Sequence, residues 1–72
     1  MSRADLKRRS VVISGHRTSV SLEDAFWAEL RAIAEARGLS INRLIAEIDG
    51  GRRGNLSSAI RLYVLAWLKG GR

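Results

Sequence analysis

Residues 16–44 read HRTSVSLEDAFWAELRAIAEARGLSINRL, and the order of patterns in this stretch decides the fold. The first part alternates, with Thr18, Val20 and Leu22 on one face and Arg17, Ser19 and Ser21 on the other. A period of two predicts a half-buried strand. No second strand follows later in the chain, so the edge of this strand needs a partner. The same strand of a second copy would pair with it in antiparallel orientation about a two-fold axis.

An amphipathic helix is predicted directly after the strand. Ser21 is its expected N-cap, and Glu23 and Asp24 suit the positive end of the helix dipole. The helix runs to Arg37, because Gly38 is placed to end it in a left-handed conformation. Its buried stripe, at spacings of three and four, consists of Leu22, Phe26, Leu30, Ile33 and Ala34.

Two further helices are predicted. Ser40 caps the second, whose apolar residues are Ile41, Leu44, Ile45 and Ile48. The three glycines of residues 49–54 interrupt the helical pattern. Asn55 or Ser57 then caps a third helix that runs to about Lys69 and is apolar around most of its circumference. In so short a chain, much of that apolar surface is expected to be buried by a partner chain.

The order of strand, helix, Gly-x-Ser turn and helix resembles the ribbon-helix-helix family of DNA-binding proteins, and in particular its small stand-alone bacterial members. The residues that carry the resemblance are Thr18 to Leu22, Phe26, Leu30, Ile33, Ala34, Gly38-Leu39-Ser40, Leu44 and Ile45. The resemblance implies a mainly α fold with a short β ribbon, an obligate dimer, and here an extra C-terminal helix. Such a ribbon enters the major groove of DNA. Simple members run the second helix on without the glycine-rich break.

The resemblance also implies functional residues. Arg17, Ser19 and Ser21 would contact bases, and Arg17 is the one long donor that could read guanine. Free N–H groups at the start of the second helix would bind a phosphate. The predicted phosphate contacts are Ser40, Ile41, Asn42, Arg43, Arg9 and His16. The predicted dimer core consists of Val20, Leu22, Phe26, Leu30, Ile45, Ile60, Val64 and Trp67.

The region before the strand allows two interpretations. Residues 1–10 are basic and lack apolar periodicity, which predicts a flexible arm before a single domain over residues 11–72. Val11 and Ile13 are out of phase with the strand. Gly15 is either a bulge that shifts the phase or part of a type II′ hairpin turn over residues 14–17. The hairpin would bring Val11 opposite Val20 and all the apolar positions to one face.

Composition narrows the function. The 72 residues carry a net charge of +6, with 13 Lys and Arg, and contain no cysteine or proline. One histidine and no cysteine argue against a metal site, no cofactor motif occurs, and an enzyme is not expected. No apolar run approaches the roughly 20 residues of a membrane span. Together with the family resemblance, this composition predicts a cytoplasmic homodimer that binds double-stranded DNA and regulates transcription.

Three other interpretations stay open at this stage. The first is a protein-interaction module, such as an antitoxin-like protein that holds a protein partner with its apolar C-terminal helix. The others are a membrane-surface protein and a purely structural oligomer. The sequence also leaves open whether dimers pair into tetramers.

Overall fold

The computed structural model describes residues 6–52 and 54–70. The elements are β1 (Leu6–Ile13), β2 (His16–Glu23), α1 (Asp24–Arg37), α2 (Ile41–Gly50) and α3 (Leu56–Leu68). The two strands form one antiparallel sheet, and the helices pack against one of its faces. The predicted fold class, mainly α with a short β ribbon and an added C-terminal helix, is confirmed for a single chain.

A two-residue turn joins the strands, so the chain forms a hairpin at Gly15 and not a bulge. Ile13 pairs with His16, which leaves Ser14 and Gly15 as the turn. Both have positive φ, 52° and 80°, the combination that a type I′ hairpin turn requires. The hairpin is therefore confirmed, but its predicted type II′ turn was wrong.

The register of the hairpin also differs from the expected one. Val11 lies opposite Thr18, and Val20 lies opposite Arg9. The offset from the predicted pairing is two residues, and side chains alternate with a period of two. All of the apolar positions predicted to share a face therefore still do so.

β1 begins earlier than the sequence predicts. Leu6 to Ser10, which the sequence places in a flexible basic arm, pair with Glu23 to Ser19 of β2. These five residues read LKRRS and have no alternation of their own, so the partner strand fixes their extended conformation. The rest of the predicted arm, residues 1–5, lies outside the described residues.

α1 begins later than predicted. Ser21 is not its N-cap but a residue of β2, and Leu22 belongs to the strand as well. The cap residue is Glu23, with φ −66° and ψ 147° and no side-chain capping bond. Pairing with β1 continues as far as Glu23, which keeps the backbone extended up to that point. The predicted end is confirmed, since Gly38 has φ 71° and its N–H bonds to the last turn of the helix.

The predicted caps of the other helices are also confirmed. The Ser40 hydroxyl accepts from the Arg43 N–H at 3.1 Å, and the Asn55 side chain accepts from the Ser58 N–H at 3.1 Å. Below the ribbon, the helices and strands share one hydrophobic core. Its buried members are Val11, Val20, Leu22, Leu30, Ile33, Ala34, Leu44, Ile45, Ile48, Ile60 and Val64.

One arginine ties the three helices together at the surface. Arg37 of α1 donates to Glu47 of α2 at 2.7 Å and to the Tyr63 hydroxyl of α3 at 3.0 Å. The hydrogen bonds to Glu47 and Tyr63 raise the pKa of Arg37, and the bond from Arg37 lowers the pKa of Glu47. The ionised forms of both groups therefore favour the packed arrangement.

Candidate nucleic-acid interface

The ribbon has two faces with different residues. We call the face toward the helices the inner face; it carries Lys7, Arg9, Val11, Ile13, His16, Thr18, Val20 and Leu22. We call the opposite side the outer face; it carries Leu6, Arg8, Ser10, Val12, Arg17, Ser19, Ser21 and Glu23. The assignment follows from the register and from the alternation of side chains along a strand.

Cations on the inner face have an acidic partner within the chain. Lys7 Nζ lies 3.3 Å from Asp24 Oδ2, and Arg9 Nη2 lies 2.6 Å from Asp24 Oδ1. The Arg9 guanidinium also stacks over the Trp27 ring, 4.6 Å from its centroid, in a cation–π arrangement. One carboxylate at the start of α1 therefore serves both inner cations.

Cations on the outer face have no such partner. Arg8 and Arg17 are exposed, and neither takes part in an ion pair or a side-chain hydrogen bond among the described residues. Arg8 lies opposite Ser21 and Arg17 opposite Val12, so the two arginines are separated by about 13 Å along the ribbon. The exposed pair Ser10 and Ser19 lies between them. Among the described residues, this surface therefore presents two guanidinium groups without a partner, on either side of short hydroxyl groups.

The residues predicted to contact bases all lie on the outer face. Arg17 and Ser19 are exposed, whereas Ser21 is half-buried. The backbone carbonyl of Ser21 accepts a hydrogen bond from the Ser57 hydroxyl of α3 at 2.7 Å. Ser21 is thus less accessible than the other two.

The predicted phosphate site at the start of α2 lies beside β1. Asn42 Oδ1 accepts from the Val12 N–H at 3.3 Å, which fixes the first turn of α2 to the outer edge of the ribbon. The N–H groups of a first helical turn have no partner within the helix. Those of Ile41 and Asn42, together with the exposed Arg43 side chain, are therefore next to the ribbon edge and available to an anion.

The two other predicted phosphate contacts, Arg9 and His16, fall on the inner face. Arg9 is held by Asp24 and Trp27, and His16 is exposed at the tip of the hairpin. The structure instead brings Arg8 to the outer face, a residue that the sequence did not single out. Its position could have been found by counting outward from a turn at Ser14 and Gly15, because this register gives Arg8 and Arg17 the same face.

Most of the predicted dimer-core residues are already buried within one chain. These are Val20, Leu22, Leu30, Ile45, Ile60 and Val64. Phe26 and Trp67 are half-buried against the same core. The large apolar residues that α3 leaves exposed are different ones: Leu62 at 66%, Leu65 at 50% and Leu68 at 58%.

β2 has one open edge. Pairs in an antiparallel ribbon alternate between hydrogen-bonded and non-bonded, and the pair that closes a two-residue turn is bonded. Ile13–His16 and Val11–Thr18 therefore bond across the ribbon, and the backbone N–H and C=O groups of Arg17 and Ser19 point away from β1. At Arg17 and Ser19 this edge can pair with another strand, whereas the Ser21 carbonyl on the same edge already accepts from Ser57.

The described residues offer little for other chemistry. No group of three His, Cys, Asp or Glu side chains among residues 6–52 and 54–70 is placed to hold a metal ion. Within the same ranges, none of the helices has the length and apolar character needed to cross a membrane.

A comparison with protein families finds a matching family. The family described as the ribbon-helix-helix domain matches residues 6–68. These bounds coincide with the first residue of β1 and the last residue of α3, so the matched region includes both strands of the hairpin and the C-terminal helix. Comparisons with curated proteins and with solved structures found no match.

Proposed function

This chain belongs to the ribbon-helix-helix family, and from that membership we propose that it binds specific sites in double-stranded DNA as a homodimer and regulates transcription. Domains of this family generally bind DNA as dimers in transcription regulation and are typically not enzymes. The observation that supports the proposal for this chain is the outer face, where Arg8 and Arg17 are exposed and without an internal counter-ion among the described residues. On the same resemblance rests our proposal that the protein is bacterial and cytoplasmic.

The open edge of β2 provides the dimer contact. Antiparallel pairing of this edge with its copy joins two outer faces into one continuous surface. Arg17 and Ser19 from each copy then face the major groove, with Ser21 beside them. Arg17 has the reach and the paired donors to bind guanine, while the serines supply single hydrogen bonds.

The first turn of α2 provides phosphate contacts at the margin of the ribbon. The bond between Asn42 and Val12 holds the free N–H groups of this turn beyond the edge of β1. A phosphate there would meet the positive end of the helix dipole and the Arg43 side chain. With a net charge of +6, a large share of the affinity is electrostatic.

The exposed leucines of α3 support the dimer as well. Ser57 and Arg61 lie on the side of α3 that contacts the end of β2, through Ser21 and Glu23. Leu65 and Leu68 continue the same side of the helix, one and two turns further on. We assign this apolar surface to the second copy.

The test is a salt series of binding to random-sequence duplex DNA, with the oligomeric state measured in parallel, followed by selection of a preferred site. We expect dimers whose affinity falls steeply with salt. Arg17→Ala should reduce the preference for the selected site, whereas Arg31→Ala, which removes an exposed charge from α1, should leave the preference unchanged. If the protein forms dimers that do not bind DNA even at low salt, the proposal is overturned.

The leucine surface also favours a second candidate, an antitoxin-like protein that holds a protein partner with α3. Leu62, Leu65 and Leu68 are each at least half exposed, as a docking surface for another protein would be. The double variant Leu65→Gln and Leu68→Gln separates the two candidates. Loss of the dimer supports the first candidate, whereas an unchanged dimer overturns the assignment of this surface to the second copy and favours the second candidate.

A further inference from the structure

β1 adds a second strand to the outer face. The base contacts in the proposed function come from β2 alone. β1 runs beside β2 over its whole length and places Arg8 opposite Ser21. Arg8 is exposed and, among the described residues, forms no ion pair. Its neighbour Arg9 has the same charge but is bound to Asp24 and stacked on Trp27. Alternation along the strand therefore leaves Arg8 as the cation that β1 can offer to a ligand.

The width of the dimeric sheet determines which part of the DNA the Arg8 side chain would contact. Pairing through the open edges of β2 gives four strands, with the two β2 strands in the centre and a β1 strand on each side. Adjacent strands lie about 4.8 Å apart, so the outer strands are separated by about 14 Å. The major groove is about 12 Å wide. The central strands fit inside the groove, and the outer strands lie over its rims, where the phosphates are.

We propose that β1 is a phosphate-binding strand, in which Arg8 of each copy contacts the DNA backbone at one rim of the groove while Arg17 contacts bases inside it. The proposal rests on the proposed function, since it requires DNA at the outer face. A guanidinium is suited to the task because its paired N–H donors match two phosphate oxygens. In this arrangement β1 positions the dimer on the groove without reading sequence.

The salt dependence and the sequence preference of DNA binding together test whether Arg8 contacts phosphates while Arg17 contacts bases. Arg8→Ala removes two phosphate contacts per dimer, which should make the slope of log affinity against log salt shallower by about 1.8. At 0.1 M salt the affinity should fall by roughly tenfold to a hundredfold, by the same factor for the selected site and for random DNA. Arg8→Lys keeps the charge and should retain most of the slope. Arg31→Ala is the matched control, since it removes an exposed arginine that belongs to α1 and not to the outer face.

Each outcome has a distinct meaning. If the unmodified dimer binds DNA and Arg8→Ala leaves the slope unchanged, the role of β1 is overturned and the proposed function stands. If Arg8→Ala alters the preferred bases, Arg8 reads sequence and the phosphate role is wrong. If the unmodified dimer does not bind DNA, both proposals fall. Arg8→Gln, which keeps the side chain as far as Cδ but is neutral, repeats the measurement should the alanine variant weaken the strand, and a melting curve of each variant verifies folding.

Discussion

The two faces of the ribbon come from the same sixteen residues, yet their cations have opposite surroundings. On the inner face, Lys7 and Arg9 share the carboxylate of Asp24. On the outer face, Arg8 and Arg17 have no carboxylate partner among the described residues. The difference arises because α1 begins next to the inner face and brings its first acidic residue there. The distribution of acids, more than the number of cations, determines which face of this ribbon is positive.

Glu23 also shows that the placement of charged partners determines the charge of a face. It is on the outer face by register, but it lies at the end of the ribbon and is bound by Arg61 of α3. Its charge is therefore compensated by a helix, and the outer arginines keep their full effect. A net charge of +6 would have been compatible with either arrangement.

The largest contrast between the faces should appear in stability. Leu22 is fully buried on the inner face and Ser19 is exposed on the outer one. Leu22→Ala should lower the free energy of unfolding by about 2–5 kcal/mol, through lost burial and the cavity left behind. Ser19→Ala should change it by less than about 0.5 kcal/mol. Denaturant unfolding of both variants measures the difference, and equal losses would mean that the outer face is also covered.

The next largest effect concerns the turn that decides which residues share a face. Gly15 has a φ of 80°, a conformation that costs a residue with a side chain roughly 1–2 kcal/mol. Gly15→Ala should destabilise the protein by about that amount. Gly51→Ala is the control, because Gly51 has a negative φ of −106° and open space around it. If both changes have the same effect in denaturant unfolding, the positive φ of Gly15 does not contribute to stability.

Local patterns predicted most of the fold correctly. The strand of residues 17–22, the end of α1 at Gly38, and the caps at Ser40 and Asn55 each depend on a few neighbouring residues, and the structure has them all. The same is true of the placement of Arg17 and Ser19 on one exposed face. What these residues contact in a complex stays a prediction.

The extent and the register of the strand pairing were the part that the sequence could not supply. Leu6 to Ser10 are extended because β2 lies beside them, and nothing in LKRRS alone indicates it. The choice between Arg8 and Arg9 depends on the register of the hairpin, which one turn residue can shift. The start of α1 likewise depends on strand pairing, which extends past Ser21 to Glu23.

A smaller effect is expected from removing the acid that pairs with the inner-face cations. Asp24→Asn frees Lys7 and Arg9, whose ion pairs with Asp24 are at the surface. The loss of stability should be no more than about 1 kcal/mol, as is usual for exposed pairs. The affinity for DNA should increase. This increase should be smaller than the decrease that Arg8→Ala causes, because the freed charges point away from the groove. An increase in affinity as large as that decrease, measured in the same salt series, would show that inner-face cations also reach DNA.

The smallest expected effect concerns the acid at the end of the outer face. Arg61 Nε and Nη2 donate to the two carboxylate oxygens of Glu23 at 2.9 Å and 3.2 Å. These bonds lower the pKa of Glu23 below its ordinary value of 4.5. Because the pKa is lower in the folded than in the unfolded state, the stabilisation is complete above about pH 4.5 and is lost as the pH falls through the folded value.

Thermal unfolding at pH 7 and pH 3 measures this contribution. At pH 7, the melting temperature of Glu23→Gln should be slightly lower than that of the unmodified protein. Between pH 7 and pH 3, the melting temperature of the variant should fall by less than that of the unmodified protein. The melting temperature of Glu29→Gln, which alters an exposed acid on α1, should fall by as much as that of the unmodified protein. Glu47, whose pKa Arg37 lowers, still titrates in both variants, so the acid effect should shrink without vanishing. If Glu23→Gln retains the full acid loss, the bond between Arg61 and Glu23 adds nothing to stability. The end of the ribbon would then be held to α3 by the hydrogen bond between Ser57 and Ser21 and by apolar packing.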